Sequence, residues 1–207
     1  MRGGHGNVNM SWLTKRRKNE QKPGGSLDKK VPPERPGNRS MQIHDLQICR
    51  EYRFVEGEGP LHAEIMLVGQ NPGKEEDRTG RPFMGRAGKY LDKVLAQSGM
   101  VRKEIYLTSI VKCKTPDNRK PTKQEIAVSI PYLVKQIEDI APKLVVLMGK
   151  AAWHTPRNGD RIYIETYHPA AAMRFPKIQK KFENDFKKIG EHHGKKSGKR
   201  KDAQKRQ

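Results

Sequence analysis

Two neighbouring amides, Gln70 and Asn71, lie in a tight turn, Gln70-Asn71-Pro72-Gly73, directly after the apolar run Ile65-Met66-Leu67-Val68. The run is short and sharply bounded, which predicts a buried strand ended by Gly69. In an open α/β sheet the carboxyl edge of a strand is where ligands bind. A side-chain amide there offers a donor and an acceptor together, and it can position a water without deprotonating it well. The acids Glu75, Glu76 and Asp77 follow, then Pro82-Phe83, then Gly85, Ala87 and Gly88 ahead of Tyr90, Leu91, Val94 and Leu95. Small residues at a predicted helix start let the backbone approach a phosphate. Taken alone, a strand-to-helix connection without chemistry accounts for such a turn equally well.

The elements that must hold this turn are legible around it. Residues 104–111 alternate as a second strand and run into a polar loop, 112–121, with two prolines. Thr122 begins a helix, with Glu125 at capping-box spacing. Its apolar face is Ile126, Ile130, Leu133 and Ile137, and Pro131 inside it predicts a kink. Residues 143–149 form a continuous apolar strand, the pattern of parallel strands covered on both faces. A fourth strand, 161–166, ends at Tyr167-His168-Pro169, and a last helix turns Ile178, Phe182, Phe186 and Ile189 inward. Upstream, Tyr52-Arg53-Phe54-Val55 reads as a strand and Glu56-Gly57-Glu58-Gly59 as a glycine-rich turn. Strands alternating with helices predict an α/β fold, a parallel-type central sheet flanked by helices.

The 207 residues carry a net charge of +20, and mean hydropathy is −0.93. Such a charge points to a polyanionic partner. It is unevenly placed: residues 1–40 hold ten Lys/Arg against three acids, and residues 187–207 hold nine against two, +7 at each end. Both ends are too poor in apolar residues to offset their ordering entropy. The expected organisation is a disordered basic arm over 1–40, one folded domain over 41–189 and a disordered basic tail over 190–207. Phosphate contacts by the ends would add salt-sensitive affinity without sequence preference. Two cysteines, Cys49 and Cys113, without a C-x-x-C, exclude a disulfide framework and a Cys-rich zinc site. No run is long and apolar enough for a membrane span, and the basic N-terminus lacks the apolar stretch of a signal peptide. A soluble intracellular protein is expected.

From about residue 55 to residue 189, the order of motifs resembles the thermostable, family 4 type of uracil-DNA glycosylase. That pattern runs G-E-(A/G)-P-G, an acidic pair, P-F-x-G-x-A-G, Y-x-x-N-x-x-K-C, N-R-x-P, a helix ending P-Y-L, a strand ending in G, and H-P-A. This sequence has GQNPG, EED, PFMGRAG, YLTSIVKC, NRKP, PYL, LMG and HPAAAMR in the same order, with Val55, Gly57 and Gly59 matching an upstream V-x-G-x-G. No single motif is specific, and a bare H-P-A is nearly worthless; the order and spacing of all eight carry the resemblance. It implies a three-layer sandwich that excises uracil, or a related deaminated base, from DNA. Three departures stand out. The family 4 type holds an iron–sulfur cluster on four cysteines, whereas here Cys113 falls on one such position, Ser129 stands at another, the upstream C-x-x-C is missing and Cys49 is alone. One thiolate cannot hold a cluster, so no cofactor is expected. Asn71 gives the turn a GxNPG form, as in mismatch-specific and single-strand-selective uracil glycosylases. Ser109 replaces the Asn that resembles the family's base-reading amide.

Site roles follow from that resemblance. A glycosylase extrudes its base into a pocket and breaks the N-glycosidic bond through a cationic sugar, with the base leaving as an anion. Asn71 is expected to orient the water, Glu76 to supply negative charge near the sugar, and His168 to donate to the departing base. Gln70, Phe83 and Ser109 are the expected base contacts, Phe83 by stacking. Gly85, Gly88, Lys112, Arg119 and Arg174 are expected at the DNA backbone, with Met173 wedged into the vacated stack. The expected partner is DNA with a damaged base, single- or double-stranded, bound by a monomer in the cytoplasm, at the nucleoid in a prokaryotic or phage setting. The alternative is a catalytically weak nucleic-acid-binding protein that keeps the fold.

Overall fold

All four apolar runs become strands of one parallel sheet: β1 (Ile65–Gly69), β2 (Ile105–Ser109), β3 (Leu144–Met148) and β4 (Ile162–Thr166), in the order β2-β1-β3-β4. The computed structural model describes residues 47–204, with side-chain burial from 49 to 193. The basic arm expected over 1–40 therefore lies outside the described residues. Register aligns Ile65 with Ile105 on one side and with Leu144 on the other, and Leu144 with Ile162. All four carboxyl ends thus meet along one edge.

Because side chains alternate across a strand, each strand feeds two cores. Ile65 and Leu67 face α2 (Arg86–Gln97) and α5 (Pro176–Gln204), packing with Leu91, Val94, Leu95, Phe182 and Phe186. Met66 and Val68 face α3 (Lys123–Ile140), against Ile126, Leu133, Ile137 and Ile140. The result is the expected α/β three-layer arrangement. The start of α3 carries the predicted capping box: Glu125 N–H donates to Thr122 Oγ1 at 3.2 Å and Thr122 N–H to Glu125 Oε2 at 2.7 Å. A short α1 (Lys74–Thr79) takes up the acidic run.

Three elements differ from the sequence reading. Residues 52–55 do not form a strand; Val55 N–H donates to Lys112 O just past β2, and the turn that follows meets β2 through a single antiparallel bridge, Glu58 with Leu107, and through the Thr108 hydroxyl, which donates to Glu56 O at 2.9 Å. The loop after β4 contains a helical turn, α4 (Pro169–Ala172), too brief to show a period. Gly190 does not end the last helix, whose backbone continues to Gln204, so the tail expected over 190–207 is helical through most of its length. Lys, Glu, Ala and Gln are good helix formers. Gly190 instead permits contact, since a Cβ there would overlap the carbonyl of Ser98 at the end of α2. Among the described residues no helix is long and apolar enough to cross a membrane.

Candidate active site at the carboxyl edge of the sheet

Pairing continues past the end of β1, because Ile110 N–H donates to Gly69 O at 3.0 Å and Val111 N–H to Gln70 O at 3.1 Å. This anchors the turn carrying Asn71. Asn71 Nδ2 donates to Pro72 O at 2.9 Å and to Thr115 Oγ1 at 3.3 Å, and Thr115, fully buried, donates to Arg119 O at 2.6 Å. Both amide hydrogens are therefore committed to the protein. Oδ1 remains as the acceptor, the polarity needed to receive a hydrogen from a water and aim its lone pair.

Glu76 does more than place a charge. Its Oε2 accepts from Gly73 N–H at 2.9 Å, and its Oε1 from Met84 N–H at 2.7 Å and Gly85 N–H at 2.8 Å. One carboxylate thereby ties the Asn71 turn to the loop before α2. The N–H of Gly85, expected at a phosphate, is already used by Glu76. Gly88 is buried, and a Cβ there would overlap the Phe83 carbonyl, so loop packing accounts for it without DNA.

That packing holds Phe83 at φ 56°, a left-handed conformation costing on the order of 1–3 kcal/mol for a residue with a side chain. Arg102 fixes it: Nη2 donates to Pro82 O at 2.8 Å and Nη1 to Phe83 O at 3.5 Å, and Nη1 also pairs with Asp92 at 2.7 Å. The ring lies against Gly69, where a Cβ would come within 2.6 Å of it, and stacks on His168 at 6.5 Å between centroids with 28° between planes.

His168 caps α4, with Ala170 N–H donating to His168 Nδ1 at 3.2 Å. A nitrogen that accepts carries no hydrogen, so the neutral ring bears its proton on Nε2, the outward donor. Burial pushes the His168 pKa down to about 4, with the charge of Glu76 pulling the other way. The ring is therefore a neutral donor at ordinary pH.

The remaining expected residues divide. Gln70 and Asn71 are half-buried at the edge. Ser109 is 6% exposed and its hydroxyl donates to Val111 O at 2.9 Å, so its donor is spent on the backbone and only acceptor capacity is left for a base. Arg119 is exposed but held bidentate by Glu125, at 2.9 and 2.6 Å. Met173 and Arg174 are exposed just beyond α4. Lys112 is a correction: it is 0% exposed and cannot touch a phosphate. Its Nζ donates to Thr108 Oγ1 at 2.7 Å, Ser109 O at 2.7 Å and Gln136 Oε1 at 2.5 Å, and lies 5.5 Å from the centre of the Tyr132 ring. Three acceptors match the three hydrogens of an ammonium. Burial lowers its pKa well below the usual lysine range, against the pull of Glu56. Lys112 clips the end of β2 from inside.

Two residues missed in the sequence complete the site, Thr115 behind Asn71 and Arg102 behind Phe83. Neither lies in a motif that names its partner, 44 and 19 residues away. Two cavities, of about 440 and about 300 Å³, open at the opposite edge around Lys143 and Ile162, away from all of these groups.

The cysteines are a second correction. Cys49, which the sequence leaves alone, is joined to Cys113 in a disulfide, with Cα atoms 5.4 Å apart. At the third position in question, the Ser129 hydroxyl donates to Glu125 O at 2.8 Å. Two sulfurs bonded to each other do not fit an iron–sulfur cluster that needs four thiolates. Among the described residues no group of three or more His, Cys, Asp or Glu is placed to hold a metal ion.

A family model described as "Uracil DNA glycosylase superfamily" matches residues 56–191. The chain is 39% identical over 184 residues to the type-4 uracil-DNA glycosylase of Archaeoglobus fulgidus, covering 74% of this chain and 92% of that protein. It is 44% identical over 137 residues to the type-4 uracil-DNA glycosylase of Thermotoga maritima, covering 58% and 71%. It is also 35% identical over 147 residues to a DNA polymerase of Bacillus phage SP01, covering 64% of this chain but 16% of that protein.

Proposed function

The chain belongs to the uracil DNA glycosylase superfamily, and from that premise we propose how it hydrolyses the N-glycosidic bond of uracil, or a related deaminated base, in DNA. The observation that carries the reading is the neutral His168, its Nδ1 committed to Ala170 N–H and its Nε2–H left to donate. As the glycosidic bond breaks, electrons move onto the base, and Nε2–H stabilises the developing oxyanion without giving up its proton. Phe83, braced by Arg102, stacks on the extruded base. Asn71 Oδ1 accepts a hydrogen from the attacking water, whose oxygen meets the cationic sugar carbon. Since an amide is a poor base, the water's proton leaves only after the carbon–oxygen bond has formed and passes through solvent to the departed base anion, and the expected rate is below that of an enzyme with a carboxylate there. Glu76 braces the two loops and adds negative charge near the cation.

With the Ser109 hydroxyl directed at Val111 O, the Gln70 amide is the better candidate for reading the base edge. Arg174 and the basic ends meet phosphates. The protein works without an iron–sulfur cluster, its two thiols forming a covalent clip instead. A monomer suffices, because every group named comes from one chain, and a cytoplasmic protein, nucleoid-associated in a prokaryotic or phage setting, fits a DNA substrate.

The test is binding and release measured side by side on a uracil-containing oligonucleotide. Wild type binds and converts uracil sites to alkali-labile abasic sites, Asn71→Ala binds but converts slowly, and His168→Ala likewise. Tight binding with no conversion by wild type would favour a nucleic-acid-binding protein that merely keeps the fold.

A further inference from the structure

Met173, Arg174 and Phe175 stand in a row just past α4, all exposed, and Phe175 is 49% open to solvent. Its backbone is fixed at both ends: Phe175 N–H donates to Ala171 O at 3.1 Å, and Phe175 O accepts from Gln179 N–H at 2.9 Å. That second bond is the first of α5, which makes Phe175 the residue capping the helix. Folding stability favours Ser, Thr, Asp or Asn at such a position, because their side chains satisfy an amide left over at the helix start. Phe satisfies none, and its ring is not part of either core. Pro176 further restricts its backbone. The chain thus holds an exposed aromatic ring on a rigid support, seven residues from His168, at a cost to the helix.

We propose that Phe175 is a second base-stacking residue, which receives the base next to the extruded one and so lets the enzyme use single-stranded DNA. This rests on the glycosylase reading above. Aromatic rings combined with cationic groups bind single strands because every base has a π face. Arg174 supplies the neighbouring charge. Extrusion takes a stacking neighbour from the flanking base in either form, but in a duplex that base is still held in place by its paired partner, whereas in a single strand nothing else holds it. Phe175 therefore matters most where no second strand is present.

The experiment uses the full chain and uracil oligonucleotides carrying 2-aminopurine beside the uracil, single-stranded and as duplexes. Dissociation constants, 2-aminopurine quenching and uracil release are measured for wild type, Phe175→Ala, Phe175→Leu and Phe175→Tyr. On the single strand, Phe175→Ala and Phe175→Leu are expected to weaken binding about tenfold and to lose quenching, while Phe175→Tyr retains both. The duplex changes less. Single-strand affinity within twofold of wild type in Phe175→Ala would overturn the inference, as would equal loss in the leucine and tyrosine variants or an equal loss on duplex. If wild type binds and quenches but releases no uracil, the glycosylase reading fails while the stacking role stands.

Discussion

Replacing His168 by Asn separates its chemistry from its structural duty. Asn keeps an oxygen to accept the Ala170 N–H, which His168 Nδ1 now accepts at 3.2 Å, so the start of α4 survives. It cannot place a donor where Nε2–H stands. Loss of a donor aimed at developing charge costs roughly 2.7–4 kcal/mol, about 10²- to 10³-fold in rate. Single-turnover uracil release is expected to fall by that factor, with binding nearly unchanged. The pH dependence adds an independent check. With a folded pKa of about 4 against the usual 6.5, the ring stays neutral from pH 8 down to about 5, and the rate shows no inflection near 6.5. The sign for stability follows from proton binding: as pH falls below 6.5 the unfolded chain takes up the proton first, so stability drops progressively toward pH 4. The full shift corresponds to about 3 kcal/mol, reduced by the part of the ring that meets solvent. His168→Asn lacks this slope, so its urea midpoint should gain on wild type between pH 7.5 and 4.5. An inflection near pH 6.5 in the wild-type rate that disappears in His168→Asn would refute a neutral donor.

Lys112→Met removes the buried amino group and leaves Thr108, the Ser109 carbonyl and Gln136 short of a donor, with an expected loss of about 2–4 kcal/mol in urea denaturation; an unchanged midpoint would contradict the clip. The protein purified in air should be colourless, without stoichiometric iron and without reactive thiol, and reduction should expose two thiols. Opening a clip across 64 residues costs at most about 4 kcal/mol by loop entropy, visible as a lowered melting temperature. Stoichiometric iron, or two free thiols before reduction, would overturn this. Deleting residues 1–40, which carry +7, should weaken DNA binding and flatten its salt dependence while single-turnover release stays within a few-fold; an unchanged salt slope would mean the arm does not touch DNA.

The strands were legible because a parallel strand covered on both faces must be continuously apolar, and β1 and β3 are. Asn71 could be placed at the carboxyl edge because it closely follows such a strand, and His168 because it closely follows β4, an edge strand with Ile162 and Glu165 exposed. What supports them was not. Thr115 holds Asn71 across 44 residues, and Arg102 holds the Phe83 loop across 19, contacts that only the tertiary fold creates. Lys112 was misread because a lysine in a polar loop is ordinarily solvated, and nothing local announces three acceptors waiting inside. Cys49 looked solitary because its partner is 64 residues away. Glu76 was read as a free charge, yet its two oxygens hold three backbone amides that no pattern in the sequence marks.

The most direct measurement is the identity of the products. Incubated with an oligonucleotide bearing one 2′-deoxyuridine, the protein should yield free uracil, identified by mass spectrometry, and one strand lighter by the mass of uracil less one water, its phosphodiester chain intact. Asn71→Ala and His168→Asn should give the same products more slowly. An unchanged strand with no free uracil from wild type under single-turnover conditions would contradict the assignment of this site to base excision.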